Sequence, residues 1–165
     1  MSEYLSVLLG PDHEVGAFRC GKPSLDDWLR SQARRAQDAD TARTYVWTTP
    51  DSPEVVAYYS IAPTQVTKAD VPRSLTCGYS TIPGYLLARL ALHTDLHGQG
   101  LGAELLVDAL GRIVEAARTG GGRLIVVDAL DDQANAFYRR HDFIPVHGTM
   151  RLYLKVATAR TALDL

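Results

Sequence analysis

The sequence predicts an α/β (α+β) protein, and three observations predict it. Short apolar runs that read as strands alternate with runs of helical period along most of the chain. One apolar run, 85–92, leads into the turn His97-Gly98-Gln99-Gly100-Leu101-Gly102 and then into a helix-like run at 101–117. A chain of 165 residues suits one domain, and a domain of that size buries roughly 70% of its unfolded surface.

Taken in order, residues 4–9 read as a short strand. Ser24 reads as an N-cap with Asp27 three residues on, and Leu25, Trp28, Leu29, Ala33 and Ala36 recur at helical spacing. Residues 43–49 and 54–62 read as a hairpin around Pro50-Asp51-Ser52-Pro53. Residues 63–84, rich in Pro, Gly, Ser and Thr, read as a loop with room for one short helix. A strand at 85–93 precedes the glycine turn. The helix at 101–117 stops at Gly120-Gly121-Gly122. A strand at 123–129, a helix at 132–140 and a strand pair near 142–146 and 149–156 close the domain. Residues 157–165 read as a frayed or partner-docking tail.

Composition narrows the function classes. The net charge of −2 excludes a generally basic nucleic-acid coat. No apolar run approaches the about 20 residues of a membrane span, and the N-terminus lacks the pattern of a signal peptide. Cys20 and Cys77 form neither a disulfide framework nor a zinc motif, which suits packing in a reduced cytoplasm. No metal site is expected.

The glycine turn carries the strongest chemical signal. Glycine lets the main chain reach positive φ and approach a ligand without a Cβ in the way. The following helix offers unpaired N–H groups and the positive end of its dipole, a setting for phosphate. A phosphate-binding P-loop would need Lys and then Ser or Thr after its last glycine, whereas Ala103 and Glu104 follow here. A dinucleotide-binding turn has other glycine spacing and lies near the start of a βαβ unit. From these six residues alone, a ligand-free strand-to-helix turn remains an equal reading.

The pattern at 97–102 after an apolar strand resembles the acyl-coenzyme A pyrophosphate loop of the GNAT N-acetyltransferases. The strand-like run 122–129 fits that family, as does the helix-like run Ala134-Asn135-Ala136-Phe137-Tyr138-Arg139-Arg140-His141-Asp142-Phe143. Asp142 stands where the family usually has glycine. The segment Cys20-Gly21-Lys22-Pro23-Ser24-Leu25-Asp26-Asp27-Trp28-Leu29, with 56–59 and 87–91, is similar to the GNAT toxins of bacterial toxin–antitoxin modules. The resemblance implies a GNAT fold over 1–156: a mixed, mostly antiparallel sheet of six to seven strands flanked by helices and splayed at the acetyl-CoA site. It implies acetyl-CoA as co-substrate and aminoacyl-tRNA as acceptor, so that translation is blocked. It further implies a ribbon-helix-helix antitoxin, a homodimer, and contact with operator DNA only through that antitoxin.

The resemblance also distributes roles. Leu90, Ala91, Leu92, His97, Gly98, Gln99, Gly100, Leu101, Gly102 and Ala103 would line the coenzyme, together with Asp131, Ala134 and Phe137. Backbone N–H groups near Leu92 would meet the oxyanion. Tyr138 would protonate the departing thiolate; a phenol, with a pKa of about 10, carries its proton at neutral pH. Glu104, Asp108 and Glu115 read as solvated, so a base is either unnecessary or a water. The ester of an aminoacyl acceptor already lowers the amine's pKa. His93 reads as structural or as a base. Arg30, Arg34 and Arg35 read either as a solvated helix face or as a tRNA contact. Arg89 reads as positioning substrate or cofactor, or as a structural ion pair. Two alternatives stand beside the toxin reading: acetylation of a small amine or a protein N-terminus, and an inactive GNAT fold acting as a DNA-binding co-repressor.

Overall fold

The computed structural model describes residues 3–164. Its strands are β1 (Leu5–Leu8), β2 (Arg43–Thr48), β3 (Ala57–Thr67), β4 (Thr81–Leu92), β5 (Leu124–Asp128), β6 (Ile144–Pro145) and β7 (Arg151–Lys155). Its helices are α1 (Pro23–Ser31), α2 (Ala33–Asp38), α3 (Leu101–Gly120), α4 (Asp132–Arg140) and α5 (Val156–Ala162). The strands form a seven-stranded sheet in the order β1-β2-β3-β4-β5-β7-β6. Antiparallel pairing joins β1 to β2, β2 to β3, β5 to β7 and β6 to β7, while β4 and β5 run parallel. This is the mixed, mostly antiparallel sheet that the family resemblance implies.

The chain divides into two compact units. One runs to Ala62 and resumes over Ala88–Ala109; the other covers Pro63–Leu87 and continues from Leu110. In the first, Phe18, Leu29, Ala33, Val46, Tyr58 and Ala91 form a buried core, with Leu25 and Trp28 packed against it. Leu25, Trp28, Leu29 and Ala33 are four of the five positions whose helical spacing announces this helical segment. In the second, Val66, Leu75, Ile82, Leu124, Val126 and Tyr153 pack together.

Several boundaries differ from the sequence reading. The first helix begins at Pro23 rather than after Ser24, with Lys22 at the cap. Proline is preset for the first helical position and its missing N–H costs nothing there. The acidic group that reaches back is Asp26, not Asp27: its Oδ1 accepts the Cys20 N–H at 2.9 Å. The helix also breaks at Gln32 into α1 and α2. Residues expected as loop extend β3 to Thr67 and β4 back to Thr81, leaving only two short 3-10 turns, Lys68–Asp70 and Arg73–Leu75. Pro63 and Pro83 lie inside those strands, so composition alone hides them. The expected tail is largely helix: α5 buries Val156 and Ala159.

Candidate active site

The end of β4 and the start of α3 frame the glycine turn. The parallel register with β5 covers Gly84 to Leu86, and β4 itself runs on through Leu90, Ala91 and Leu92. The His93 N–H donates to the Val56 carbonyl and the Thr94 N–H to the Arg19 carbonyl, each at 2.9 Å, which anchors the strand's exit. The 3-10 turn Thr94–Leu96 follows, capped by His93 Nδ1, which accepts from the Asp95 N–H at 3.1 Å. That bond and the edge-on contact with Phe18 favour a structural role for His93 over that of a base.

Two polar side chains then fold back onto the turn's own carbonyls. His97 Nε2 lies 2.7 Å from the Leu92 oxygen, and Gln99 Nε2 donates to the Asp95 oxygen at 3.2 Å. Both side chains stay exposed while engaged with these carbonyls, and the main chain at Gly98–Gly100 is exposed as well. Gly98 and Gly100 have φ of 79° and 76°. A Cβ on either would meet nothing within 4 Å. The protein's own packing therefore does not call for glycine there; the left-handed backbone and an open approach do. Gly102 differs from its two predecessors. It lies within the first turn of α3, where the N–H groups of Leu101, Gly102 and Ala103 have no acceptor inside the helix. A pyrophosphate group fits this cradle.

The second unit carries the tyrosine. Asp131 caps α4, its Oδ1 accepting from the Ala134 N–H at 2.9 Å. Asp131 and Ala134, expected beside the coenzyme, thus set the entry of the helix. Phe137 and Tyr138 follow on α4. Tyr138 is buried, with edge-on rings of Phe137 and Phe143 each 5.3 Å away. Burial pushes its phenol well above the ordinary range, so it stays protonated. The helix ends with the Asp142 N–H on the Arg139 carbonyl and the Phe143 N–H on the Tyr138 carbonyl. This is a Schellman closure with Asp142 at φ 69°. The left-handed φ explains why glycine suits that position and why aspartate can replace it.

The arginines part company. Arg30 donates to the Phe18 carbonyl at 2.6 Å and to Asp27 at 3.2 Å. Arg34 donates to the carbonyls of His13 and Gly10 at 2.6 and 3.1 Å. Both therefore fasten the segment before α1, which sequence periodicity could not show. Arg35 is exposed. Arg89 is half-buried, its guanidinium 4.0 Å above the centroid of the Trp28 ring.

Asp108 corrects the sequence reading of a solvated carboxylate. It accepts three side-chain hydrogen bonds: from Ser6 Oγ, from Trp47 Nε1 at 3.2 Å and from Tyr59 Oη at 2.9 Å. The donors come from three separate strands, so no local signal pointed to it. Cys20 is buried, and desolvation pushes its thiol up to about 11, which keeps it from serving as a thiolate nucleophile at neutral pH.

In the first unit, a strand running into an open glycine turn at a helix N-terminus has the form of an acyl-coenzyme A pyrophosphate site, and the second unit holds a buried, protonated tyrosine on a later helix. The family model for the acetyltransferase (GNAT) family matches residues 11–143, and the chain belongs to that family. A tRNA-acetylating toxin of Mycobacterium tuberculosis is 41% identical over 131 residues, 79% of this chain and 78% of that protein. The structure of AtaTR bound with acetyl-CoA has a TM-score of 0.87 at 26% identity, covering 98% of this chain and 99% of that one. A tyrosine-to-phenylalanine mutant of the AtaT toxin, bound to the C-terminus of the antitoxin AtaR, has a TM-score of 0.87 at 25% identity and covers 99% and 100%.

Proposed function

We propose that this chain is an acetyltransferase toxin that moves the acetyl group of acetyl-CoA to the α-amine of aminoacyl-tRNA and so removes that amine from peptide-bond formation. The observation that carries the reading is the open, positive-φ turn at Gly98 and Gly100 in a chain 41% identical to a tRNA-acetylating toxin. Residues 1–156 act as one GNAT domain.

Each residue has a task. The amides of Gly98 to Ala103 receive the pyrophosphate, with the α3 dipole adding to the attraction. The main chain at Leu90–Leu92 runs beside the pantetheine, and the N–H near Leu92 steadies the developing oxyanion. Tyr138 donates its proton to the departing thiolate, and its burial supplies the protonated form. Asp131, Ala134 and Phe137 act by setting the start and packing of α4. Arg35 supplies charge for tRNA phosphates, while Arg30 and Arg34 hold the surface that carries it. The acceptor amine, acidified by its ester, attacks as the neutral base, so no carboxylate is required.

The setting follows from the same reading. The protein works in the cytoplasm as a homodimer, is held inactive by a ribbon-helix-helix antitoxin, and meets operator DNA only through that antitoxin. In this structure no helix among the described residues is long and apolar enough to cross a membrane.

The test is transfer of labelled acetyl from acetyl-CoA to total charged tRNA. Label should enter the RNA fraction and disappear when the tRNA is deacylated beforehand. Label entering small amines or protein N-termini instead would favour a metabolic acetyltransferase. No turnover at all would favour a co-repressor.

A further inference from the structure

Arg89 is held but unused. Arg30, Arg34, Arg43, Arg123 and Arg151 each donate to a carbonyl or a carboxylate. For Arg89, among the described residues, the neighbours are the indole of Trp28 and, electrostatically, the Tyr58 phenol. Tyr58 stacks with the same indole, ring centroids 6.1 Å apart and planes within 11°. Its hydroxyl donates to the Leu25 carbonyl at 2.7 Å, tying α1 to the sheet. The guanidinium therefore lies over a fixed platform, half withdrawn from water, with no carbonyl or carboxylate among the described residues accepting from its N–H fork. Desolvating a cation without an anion is costly. The arrangement makes sense when the anion arrives with the substrate.

Position narrows that anion. Along β4, Arg89 lies on the same face as Ala91, which belongs to the core packed by Trp28. It precedes Leu92 by three residues, about 10 Å of strand. The coenzyme's pyrophosphate is already provided for by the glycine turn. In an aminoacyl-tRNA, the anion one nucleoside away from the reacting ester is the phosphate on the 5′ side of the terminal adenosine. A planar fork receives a phosphate through two parallel hydrogen bonds, which an ammonium cannot reproduce.

We infer that Arg89, preset by Trp28, binds the 5′-phosphate of the 3′-terminal adenosine of the acceptor. Arg89 is then the residue that distinguishes a charged nucleic-acid end from a simple amino ester, and Trp28 is a positioning residue. This rests on the reading that charged tRNA is the acceptor.

Two probes isolate the contact: 3′-aminoacyl-adenosine and the same molecule bearing a 5′-phosphate. The parent protein should prefer the phosphorylated probe by about 10–100-fold in kcat/KM, mostly through KM. Arg89→Gln should reduce that preference to within about twofold. Arg89→Lys should retain only part of it. Trp28→Leu should lower it, and Trp28→Phe should restore most of it. Equal losses on both probes in Arg89→Gln, with the preference intact, would overturn the inference. So would a parent protein that does not prefer the phosphate. Failure of the tRNA reading looks different: neither probe nor charged tRNA would be acetylated, while unrelated amines would be.

Discussion

Tyr138 and Asp108 show how one residue's surroundings decide its use. Tyr138 is enclosed by Phe137 and Phe143, and the same enclosure keeps the phenol neutral. Tyr138→Phe keeps the ring and removes the proton, so the acetyl-transfer rate should fall by roughly 10²–10⁴-fold with little change in coenzyme affinity. A single-turnover measurement on charged tRNA checks this, and a loss below about tenfold would remove the acid role. The sign of the pH effect follows. The working form is protonated and burial raises its pKa, so the rate should not decline as pH passes about 10, where an exposed phenol ionises. Asp108 serves the fold instead. Asp108→Ala removes the acceptor that Ser6, Trp47 and Tyr59 share and should cost about 1–3 kcal/mol in urea unfolding. Asp108→Asn retains an acceptor oxygen and should cost less.

At the scale of elements, the glycine turn and the end of α4 make opposite use of a left-handed residue. At Gly100 a Cβ would clash with no neighbouring atom, so beyond the strain of its left-handed φ a side chain there would stand in the open approach of the proposed ligand. Gly100→Asp should raise the KM for acetyl-CoA by at least about tenfold, since like charges a few ångströms apart near a surface repel by about 4 kcal/mol. Calorimetry showing unchanged coenzyme binding would contradict the assignment. At Asp142 the left-handed φ closes a helix, and Asp142→Gly should stabilise the protein by up to about 1 kcal/mol in urea unfolding without loss of activity. These elements were legible because their signals are local. The strand before the turn, the helix after it and α4 at 132–140 are written in period and punctuation over a dozen residues. The extensions of β3 and β4 were not legible, because cross-strand pairing rather than composition holds 63–67 and 81–84 as strand. The break at Gln32 and the inward turn of Arg30 and Arg34 were equally hidden. Helical spacing identifies a face, but not the carbonyls of Gly10, His13 and Phe18 that lie against it.

For the whole molecule, a net charge of −2 and arginines largely engaged in local contacts argue against binding RNA by bulk charge. On the proposed reading, recognition rests instead on a few cations, the exposed Arg35 and the Trp28-held Arg89. Its salt dependence should therefore be shallow, as expected for few phosphate contacts. The family, the glycine turn and the protonated tyrosine converge on acetyl transfer from acetyl-CoA, and the acceptor proposed above is the amine at the end of a charged tRNA. The most direct measurement is mass spectrometry of the terminal nucleoside after incubation with acetyl-CoA and total charged tRNA, followed by nuclease digestion. N-acetyl-aminoacyl-adenosine should appear with the parent protein and fall to trace with Tyr138→Phe. Acetyl groups found on bases, on ribose or on protein, with aminoacyl-adenosine unmodified, would contradict the account.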